Sequence, residues 1–321
     1  MAQAAAVQRP LPDRNEFESI RLVTIGSRFS ESIDATIAWC RRYGLLAQTM
    51  VCPVCNLLCQ EGVYNRVIDG RVFRCPNRDC RKVSSIRKGS FFEAAHIPLW
   101  KVIAITYMWS TNCGRPRGPS QEFLMRELDI GSEHTIVDWN QFCRDVAVEY
   151  FVNHPQQIGG PGSIVEIDES AFAKRKYNRG RMVPEKWVFG AYEAARKRGV
   201  MVMVDRRDAV TLMPVINQWI APGSIIWSDM WAAYNQIPNQ GFQHGTVNHT
   251  HHFVDPNTGV TTNHAEAMWS RAKAKFKSMM GPTNRDMIGG YLAEFMWNQR
   301  FGDSPFFHFW TQIANDLYVV N

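Results

Sequence analysis

The cysteines of this chain limit its fold more than any other feature of the sequence. Five of the eight lie between Cys52 and Cys80, and the second half of the chain has none. Such crowding argues against a framework of disulfides and favours a metal site. A C-x2-C pair and a C-x4-C pair flank a hairpin-length spacer with a turn signal at Asp69-Gly70. We therefore predict a zinc ribbon whose structural Zn²⁺ is held by Cys52, Cys55, Cys75 and Cys80.

This ligand set leaves alternatives open. The second pair is longer than the usual C-x2-C, and Cys59 can replace one of the four ligands. Free buried thiols, or a redox-active Cys-x-x-Cys, are other interpretations of the same cluster. Four thiolate ligands leave no open position on the metal, so the predicted site is structural.

Composition and charge limit the classes of protein to which the chain can belong. Hydrophobic residues make up 45% of the chain, which is enough for a buried core. The formal charge of +6 suits an anionic partner, although many basic proteins bind no nucleic acid. The first residues lack the apolar run of a signal peptide, and the longest apolar stretch, 97–109, is too short to cross a bilayer. We expect a soluble intracellular protein with no membrane partner.

Changes in sequence texture divide the chain into six segments. We predict a flexible tail, a helical segment, the zinc ribbon, a helix-turn-helix-like region, an α/β catalytic domain and a C-terminal helix. Their ranges are 1–13, 14–50, 51–95, 96–155, 160–302 and 303–321. In the fourth segment, helix 121–128 is followed by a turn at 129–132 and a second helix. This pattern is typical of a DNA-binding helix-turn-helix, and an ordinary αα-hairpin fits it equally well.

The fifth segment has the periodicity of an α/β domain. Three strands are predicted first, then a helix, a fourth strand, a short helix, a possible fifth strand and a long amphipathic helix. Their ranges are 163–169, 186–193, 200–204, 212–220, 225–227, 231–234, 246–249 and 262–280. The third strand is wholly apolar, which predicts a central position in the sheet.

Acidic residues close two of the predicted strands. Alternation puts Asp168 on the same strand face as Glu166 and Ser170, and Asp229 follows strand 225–227. Each aspartate alone is more often a cap or turn residue, but two at the ends of hydrophobic strands favour a site. Glu266 lies in the first turn of the long helix, where a capping or helix-dipole role is the competing interpretation.

Acids on the first strand, the fourth strand and the last helix form the RNase H-like arrangement. The predicted fold class is therefore α/β: an RNase H-like catalytic domain preceded by a zinc ribbon and a helical DNA-binding region. Carboxylates are hard oxygen ligands of the kind that hold two Mg²⁺ or Mn²⁺ ions for phosphoryl transfer. The predicted ligands are Asp168, Asp229 and Glu266.

Several motifs resemble a known family. Val-Glu-Ile-Asp-Glu-Ser at 165–170, Ser-Asp-Met-Trp-Ala-Ala-Tyr at 228–234 and Thr-Asn-His-Ala-Glu-Ala-Met-Trp at 262–269 are similar to the Merlin superfamily of eukaryotic cut-and-paste DDE transposases. They are also similar to related bacterial insertion-sequence transposases with an N-terminal zinc ribbon and an ISXO-type DDE domain. The resemblance covers about 50–300, and 36 residues separate Asp229 from Glu266, as expected of the Merlin triad.

The resemblance implies a function, partners and a location. The three acids would be the catalytic residues of a transposase that cuts double-stranded DNA at terminal inverted repeats and joins the freed 3′-hydroxyl to target DNA. The zinc ribbon and helix-turn-helix would read the repeats, and two DNA ends require a homodimer or higher homo-oligomer. The location would be the nucleus, or the cytoplasm and nucleoid of a bacterial host. The alternative, a transposase-derived non-catalytic zinc-ribbon DNA-binding protein, is disfavoured by the three intact acids.

Basic residues and one histidine are predicted DNA contacts. Lys273 and Lys277 follow Glu266 along one helix stripe, and His249 is a hypothetical contact to the scissile phosphate. A basic loop after the first strand is a hypothetical backbone contact, with a solvated loop or a nuclear-localisation patch as alternatives: Lys174, Arg175, Lys176, Arg179 and Arg181. The tryptophans of this segment are predicted to be core and wall rather than base-stacking residues: Trp187, Trp227, Trp231 and Trp269.

Overall fold

The structure, a computed structural model, describes residues 12–112, 118–173, 186–279 and 287–318. The chain divides into two compact units. The first contains the described residues up to Asn112, Pro119–Val146 and those from Asp303 onward, and the second contains Ala147–Gly302 within the same limits. In the described ranges, no helix combines the length and the apolar character that a bilayer span requires.

The first unit begins with three short helices, and polar side chains cap the amino ends of two of them. These are α1 (Arg14–Ser19), α2 (Leu22–Ile25) and α3 (Ile33–Arg42), with a π-helical turn between the last two. Asp13 accepts a hydrogen bond from the Asn15 amide at the start of α1 (2.9 Å), and Ser32 accepts one from the Ala35 amide at the start of α3 (3.1 Å). Such caps satisfy amides that have no partner inside the helix.

The cysteine-rich segment forms a small antiparallel sheet. Its strands, in spatial order, are β1 (Gln60–Val63), β2 (Arg71–Arg74) and β3 (Val83–Ser85). Residues 64–70 form the β1–β2 connection, which Gly70 closes with a φ of 65° at the predicted turn. The connection departs from the simple hairpin because the side chain of Asp69 is buried.

A buried ion pair holds this connection. Arg87 donates to both carboxylate oxygens of Asp69, at 2.6 and 2.5 Å, and to the carbonyls of Ala95 and Ile97, both at 2.9 Å. Both side chains are nearly inaccessible, at 3% and 4% exposure. A buried charge of this kind is tolerated only while its partner is present.

Replacing Asp69 with alanine is expected to destabilise the first unit by about 3–5 kcal/mol, because it leaves a buried guanidinium without its counter-ion. Asp34 is the matched control, since it pairs with Arg71 at 2.7 Å while 66% exposed. Asp34→Ala should lower the free energy of unfolding by no more than about 1 kcal/mol. Urea unfolding followed by circular dichroism measures both, and equal losses in the two variants would contradict the assignment.

The rest of the first unit is helical and aromatic. It contains α4 (Leu99–Asn112), α5 (Gln121–Glu127), the start of α6 (Glu133–Asn153) and α10 (Pro305–Gln312). Helices α5 and α6 form at the two predicted positions, and the turn between them contains Asp129 with a φ of 48°. Helix α10 packs into the aromatic core of this unit, whose rings include Phe17, Trp39, Phe91, Phe92, Phe306 and Trp310.

The second unit is built on a mixed five-stranded sheet of order β10-β9-β5-β6-β7. Strand β5 is central, β6 and β7 continue it as an antiparallel meander, and β9 and β10 extend it in parallel on the other side. A short parallel pair, β4 and β8, lies outside this sheet. The elements are β4 (Ile158–Gly159), β5 (Ile164–Ala173), β6 (Lys186–Glu193), β7 (Arg198–Val204), α7 (Ala209–Trp219), β8 (Ile220–Ala221), β9 (Ile225–Asp229), β10 (Gln243–Val247), α8 (Asn263–Met279) and α9 (Ile288–Phe301).

Helices cover both faces of this sheet. Helix α7 packs on one face, where Val165 and Ile167 of β5 are buried. Helices α8 and α9 pack on the other, with Trp269 and Leu292 in the core. The alternate residues of β5, including Glu166 and Asp168, therefore point to the side of α8.

The sheet corrects three sequence predictions. Strand β7 is an edge strand rather than a central one; its residues are apolar because Val200 is buried on the α7 face and Met201 on the α9 face. The last strand is Gln243–Val247, so His249 lies beyond it. Helix α7 starts three residues earlier than predicted because Asp208 caps it through the Thr211 amide (2.9 Å).

Candidate active site and metal centre

Two aspartates lie side by side on adjacent parallel strands: Asp229 is the last residue of β9, whereas Asp168 lies midway along β5, which continues to Ala173 instead of ending at residue 169 as predicted. The parallel register pairs Glu166 with Trp227. Continuing that register by two residues puts Asp168 of β5 next to Asp229, the last residue of β9. Because side chains alternate along a strand, both carboxylates emerge on one face of the sheet, from strands roughly 5 Å apart.

The Asp168 carboxylate is held in a fixed orientation. Its Oδ2 accepts a hydrogen bond from the indole Nε1 of Trp269 on α8 (3.1 Å), and its Oδ1 accepts one from the Glu169 amide (2.8 Å). Gly190, its register partner on β6, leaves space for that indole, because a Cβ there would lie 2.3 Å from Trp269 Cζ2. The predicted core tryptophan thus also contacts the acid.

Negative charge accumulates around Asp168. Burial, together with the nearby charges of Asp229 and Glu266, raises the pKa of the Asp168 carboxyl to about 6. Three carboxylates within electrostatic reach of one another repel unless a cation or proton is shared among them. Their oxygens are the donors that Mg²⁺ and Mn²⁺ prefer, so the donor type fits hard divalent ions, although among the described residues only the four cysteines bring all their ligand atoms within 4.8 Å of one another.

Asp229 also acts as a turn residue, which was the competing interpretation of its place in the sequence. Its Oδ1 accepts a hydrogen bond from the Trp231 amide (3.0 Å), which starts the turn into the 3₁₀ helix Ala232–Gln236. This bond uses one oxygen and fixes the other, so a turn role and a ligand role are compatible. The neighbouring Ser228 is buried and contacts His244 Nε2 at 2.9 Å.

Glu266 and His249 lie together at the start of α8. Glu266 is in the first helical turn, where its amide donates to the Thr262 carbonyl (3.0 Å), and its side chain is 46% exposed. His249 Nε2 lies 3.8 Å from Glu266 Oε1 and 2.8 Å from Thr262 Oγ1. The histidine is therefore a neighbour of the third acid, at the edge of the carboxylate group.

Glu166 is a positioning residue that the sequence did not reveal. Its buried carboxylate accepts hydrogen bonds from the amides of His264 (2.8 Å) and Ala265 (3.1 Å), and contacts His264 Nδ1 at 2.6 Å. Those amides are the unpaired donors at the start of α8, so Glu166 joins β5 to the helix that carries Glu266. The available signal was a charged residue at an inward position of an apolar strand.

Replacing Glu166 with alanine is expected to destabilise the second unit by about 2–4 kcal/mol, because one buried and one partly buried amide lose a charged acceptor. Glu166→Gln keeps an acceptor oxygen and should lose less. Amide hydrogen exchange at His264 and Ala265, with Glu149→Gln on the exposed face of α6 as control, measures the local effect. Unchanged exchange at these amides in the alanine variant would refute the anchoring role.

The opposite face of β5 carries a separate polar group. Glu169 is buried there, accepts from the Tyr234 hydroxyl and lies 3.4 Å from Arg207 Nη2. Burial raises the pKa of the Glu169 carboxyl to about 7. This glutamate faces α7 rather than α8, so it does not join the three acids.

Four cysteine sulfurs of the small sheet converge. The Sγ atoms of Cys52, Cys55, Cys75 and Cys80 all lie within 4.8 Å of one another. Two of the distances are 3.6 Å, between Cys52 and Cys80, and 3.2 Å, between Cys55 and Cys75. Tetrahedral Zn²⁺ with Zn–S bonds of about 2.3 Å requires sulfurs at roughly this separation, so the group fits zinc.

Local backbone explains why the longer C-x4-C spacing still fits. Asn77 accepts a hydrogen bond from the Asp79 amide (2.9 Å), and the Cys80 amide donates to the Asn77 carbonyl (3.2 Å), which coils the extra residues into a turn. Amides of the first pair act on the thiols as well: hydrogen bonds from Cys55 and Val54 lower the pKa of Cys52 to about 6. Cys59 is outside the converging group, and burial raises the pKa of its thiol.

The predicted DNA-contacting lysines and arginines divide into two sets. Lys273 is partly buried, and its Nζ donates to Ser170 Oγ (2.5 Å), so its ammonium already has a partner within the fold. The others lie outside the described residues or side chains: Lys174, Arg175, Lys176, Arg179, Arg181 and Lys277.

The second unit is thus an α/β domain with an acidic group on two adjacent parallel strands, at the end of β9 and midway along β5, and carboxylate groups of this kind are used in metal-dependent chemistry. Residues 159–299 match the family model of the ISXO2-like transposase domain. This match confirms the predicted similarity to DDE transposases of insertion sequences, a family that implies DNA binding and the use of divalent metal ions.

Two individual proteins are also similar to this chain. An uncharacterized transposase-like protein of Haemophilus influenzae is 28% identical over 103 residues, which are 32% of this chain and 80% of that protein. Among solved structures, a chain of the simian T-cell lymphotropic virus intasome in complex with PP2A regulatory subunit B56 gamma matches at 12% identity and a TM-score of 0.29. The match covers 60% of this chain and 65% of that chain, a likeness too low to carry an argument.

Proposed function

We propose that the protein is a DNA transposase that performs cut-and-paste transposition at terminal inverted repeats. The observation that carries this proposal is the approach of Asp168, Asp229 and Glu266 to one another, from two parallel strands and one helix, inside a transposase-family segment. The family supports a DNA-cleaving and strand-transferring enzyme, and the three acids would be its catalytic residues.

The proposed fold of the second unit is RNase H-like. Its support is the strand order, in which the first long strand is central, an antiparallel meander lies on one side, and two parallel strands lie on the other. The zinc-ribbon assignment of the first unit rests likewise on the three-stranded sheet and its four converging sulfurs.

The three carboxylates would hold two Mg²⁺ or Mn²⁺ ions, which supply activation of the attacking oxygen and stabilisation of the leaving oxygen. Other residues of the chain would position these carboxylates and the phosphate. Trp269 and Gly190 fix the direction of Asp168, and Glu166 fixes the start of α8 and so the position of Glu266. His249, beside Glu266, would contact the scissile phosphate.

The DNA partners would be the terminal repeats and the target duplex. The ribbon segment 51–95 has eight lysines and arginines against four acids, which suits phosphate contact. Helix α6, the predicted reading helix, instead exposes Glu133, Asp138, Asp145 and Glu149, so the ribbon is the better-supported DNA surface. We further propose that the protein acts as a homodimer or higher homo-oligomer and that it is related to the Merlin superfamily. Its proposed location is the nucleus, or the cytoplasm and nucleoid in a bacterial host.

A transposition assay tests this function. The DNA that flanks the gene supplies candidate inverted ends, which are placed around a marker and incubated with the protein, Mg²⁺ and a target plasmid. Excision and insertion of the marker with a short target duplication are expected. Binding of the ends without cleavage in Mg²⁺ or Mn²⁺ would contradict the proposal and support the non-catalytic DNA-binding alternative.

A further inference from the structure

An open cavity of about 500 Å³ lies between the segment that leads from β7 into α7 and the turn after β9, and none of the three acids lines it. Its wall consists of the residues that lead into and start α7, Arg206–Ala209, and of Trp231 with the two alanines that follow it. Trp231 is two residues from Asp229 and is tied to it by the bond from its amide to the carboxylate (3.0 Å). A ligand in this cavity would therefore be a close neighbour of anything bound at Asp229.

Trp231 is rigid and yet exposed. Its indole Nε1 donates to the Arg207 carbonyl (2.9 Å), and the Arg207 guanidinium lies 4.7 Å from its ring centroid. The same guanidinium lies 4.3 Å from the ring of Trp187, so it is held between two aromatic rings. Nevertheless Trp231 is 41% exposed, and the adjacent Met230 is 63% exposed. Of the two predicted roles, core and wall, Trp231 therefore has the second.

The charges around this ring favour an anion. Arg206 is exposed at the cavity wall, and Arg207 is fixed by its rings and by Glu169. Asp208, the acid at the wall, is occupied as the cap of α7, accepting from the Thr211 amide (2.9 Å) and hydroxyl (2.7 Å). The amino end of α7 also adds positive potential.

A rigid exposed indole next to an arginine is the combination that binds unpaired nucleotides, because every base can stack on it and every phosphate is anionic. We propose that this cavity binds one unpaired nucleotide of the DNA substrate, next to the phosphate held at the acids, with its base on Trp231 and its phosphate near Arg206. The inference rests on the proposed function, since it assigns the neighbouring DNA to a protein that cuts DNA at Asp229.

Binding to two matched probes tests the cavity. One probe is a blunt duplex, and the other is the same duplex with a three-nucleotide single-stranded overhang. Fluorescence anisotropy in metal-free buffer, with the zinc-loaded protein, gives their affinities without cleavage. Trp231→Ala is expected to weaken binding of the overhang probe by about tenfold, the loss of one stacked base, and to leave the blunt duplex unchanged.

Two further variants separate stacking from structure. Trp231→Phe lacks the indole N–H but keeps a ring face, so it should retain most of the overhang affinity. Arg206→Gln should reduce the magnitude of the slope of log affinity against log salt concentration by about one. Arg196→Gln, in the β6–β7 turn at the other end of the sheet, should leave that slope unchanged. Equal losses on both probes, or overhang binding that survives Trp231→Ala, would overturn the proposal.

The outcome is independent of whether the protein is a transposase. A protein that discriminates the overhang through Trp231 but cuts no DNA would retain this site and refute the proposed catalysis. A protein that cuts DNA but binds the overhang probe equally well with and without the Trp231 side chain would refute this site alone.

Discussion

Replacing Cys75 with serine is expected to release one Zn²⁺ from each chain and to unfold the ribbon, residues 51–95. The four sulfurs lie within 4.8 Å of one another, and each strand of the sheet has only three or four residues, with Val72 and Phe73 as its buried apolar side chains. Structural zinc contributes on the order of 10 kcal/mol or more to the folding of such modules. Atomic absorption gives the metal content, and amide exchange over β1–β3 gives the loss of structure.

Cys59→Ser is the matched control for this experiment. Cys59 is buried in the same segment but outside the group of converging sulfurs, so its serine variant should retain zinc. Zinc lost from Cys59→Ser and kept by Cys75→Ser would show that Cys59 is the fourth ligand. A chain that never contains zinc would contradict the ribbon assignment altogether.

Replacing Asp229 with asparagine is expected to reduce cleavage of a transposon-end duplex by about 10³-fold or more, since a metal-binding carboxylate contributes several kcal/mol to phosphoryl transfer. Asparagine keeps the oxygen that accepts from the Trp231 amide, so the turn should form. Asp168→Asn and Glu266→Gln should lose comparable activity. The cleavage rate of an end-labelled duplex in Mg²⁺ measures each loss.

Glu149→Gln, an exposed change on α6, should cleave at the wild-type rate. DNA affinity should not fall in any of these variants, because the acids themselves repel phosphate and are proposed to act after binding. Cleavage that persists in the three acid variants would eliminate the proposed triad.

Short-range patterns predicted the elements of the second unit well. The apolar alternation of β5 and β6 and the helical spacing of α8 each follow from residues close in sequence. The same applies to the cysteines, whose two pairs needed only a hairpin between them to meet. The aspartates were identified because a charge at the end of an apolar strand is unusual.

Partners far apart in sequence were not predictable in this way. Glu166 accepts from the amides of His264 and Ala265, almost a hundred residues later, and nothing local indicates that pairing. Likewise, Phe306 of the C-terminal helix packs on Phe17 near the start of the chain, with ring centroids 5.6 Å apart, so the described residues from Asp303 onward belong to the first unit. The exposure of Trp231 also depends on tertiary packing, in this case on Arg207 and Trp187.

The central claim is that Asp168, Asp229 and Glu266 form one divalent-metal site. Calorimetric titration of Mn²⁺ into the zinc-loaded protein, without DNA, tests it most directly. The wild-type chain and Glu149→Gln should bind Mn²⁺ with equal affinity, and Asp168→Asn, Asp229→Asn and Glu266→Gln should each bind it at least about tenfold more weakly, a loss of about 1.4 kcal/mol. Mn²⁺ affinity that is unchanged in all three acid variants would contradict the account.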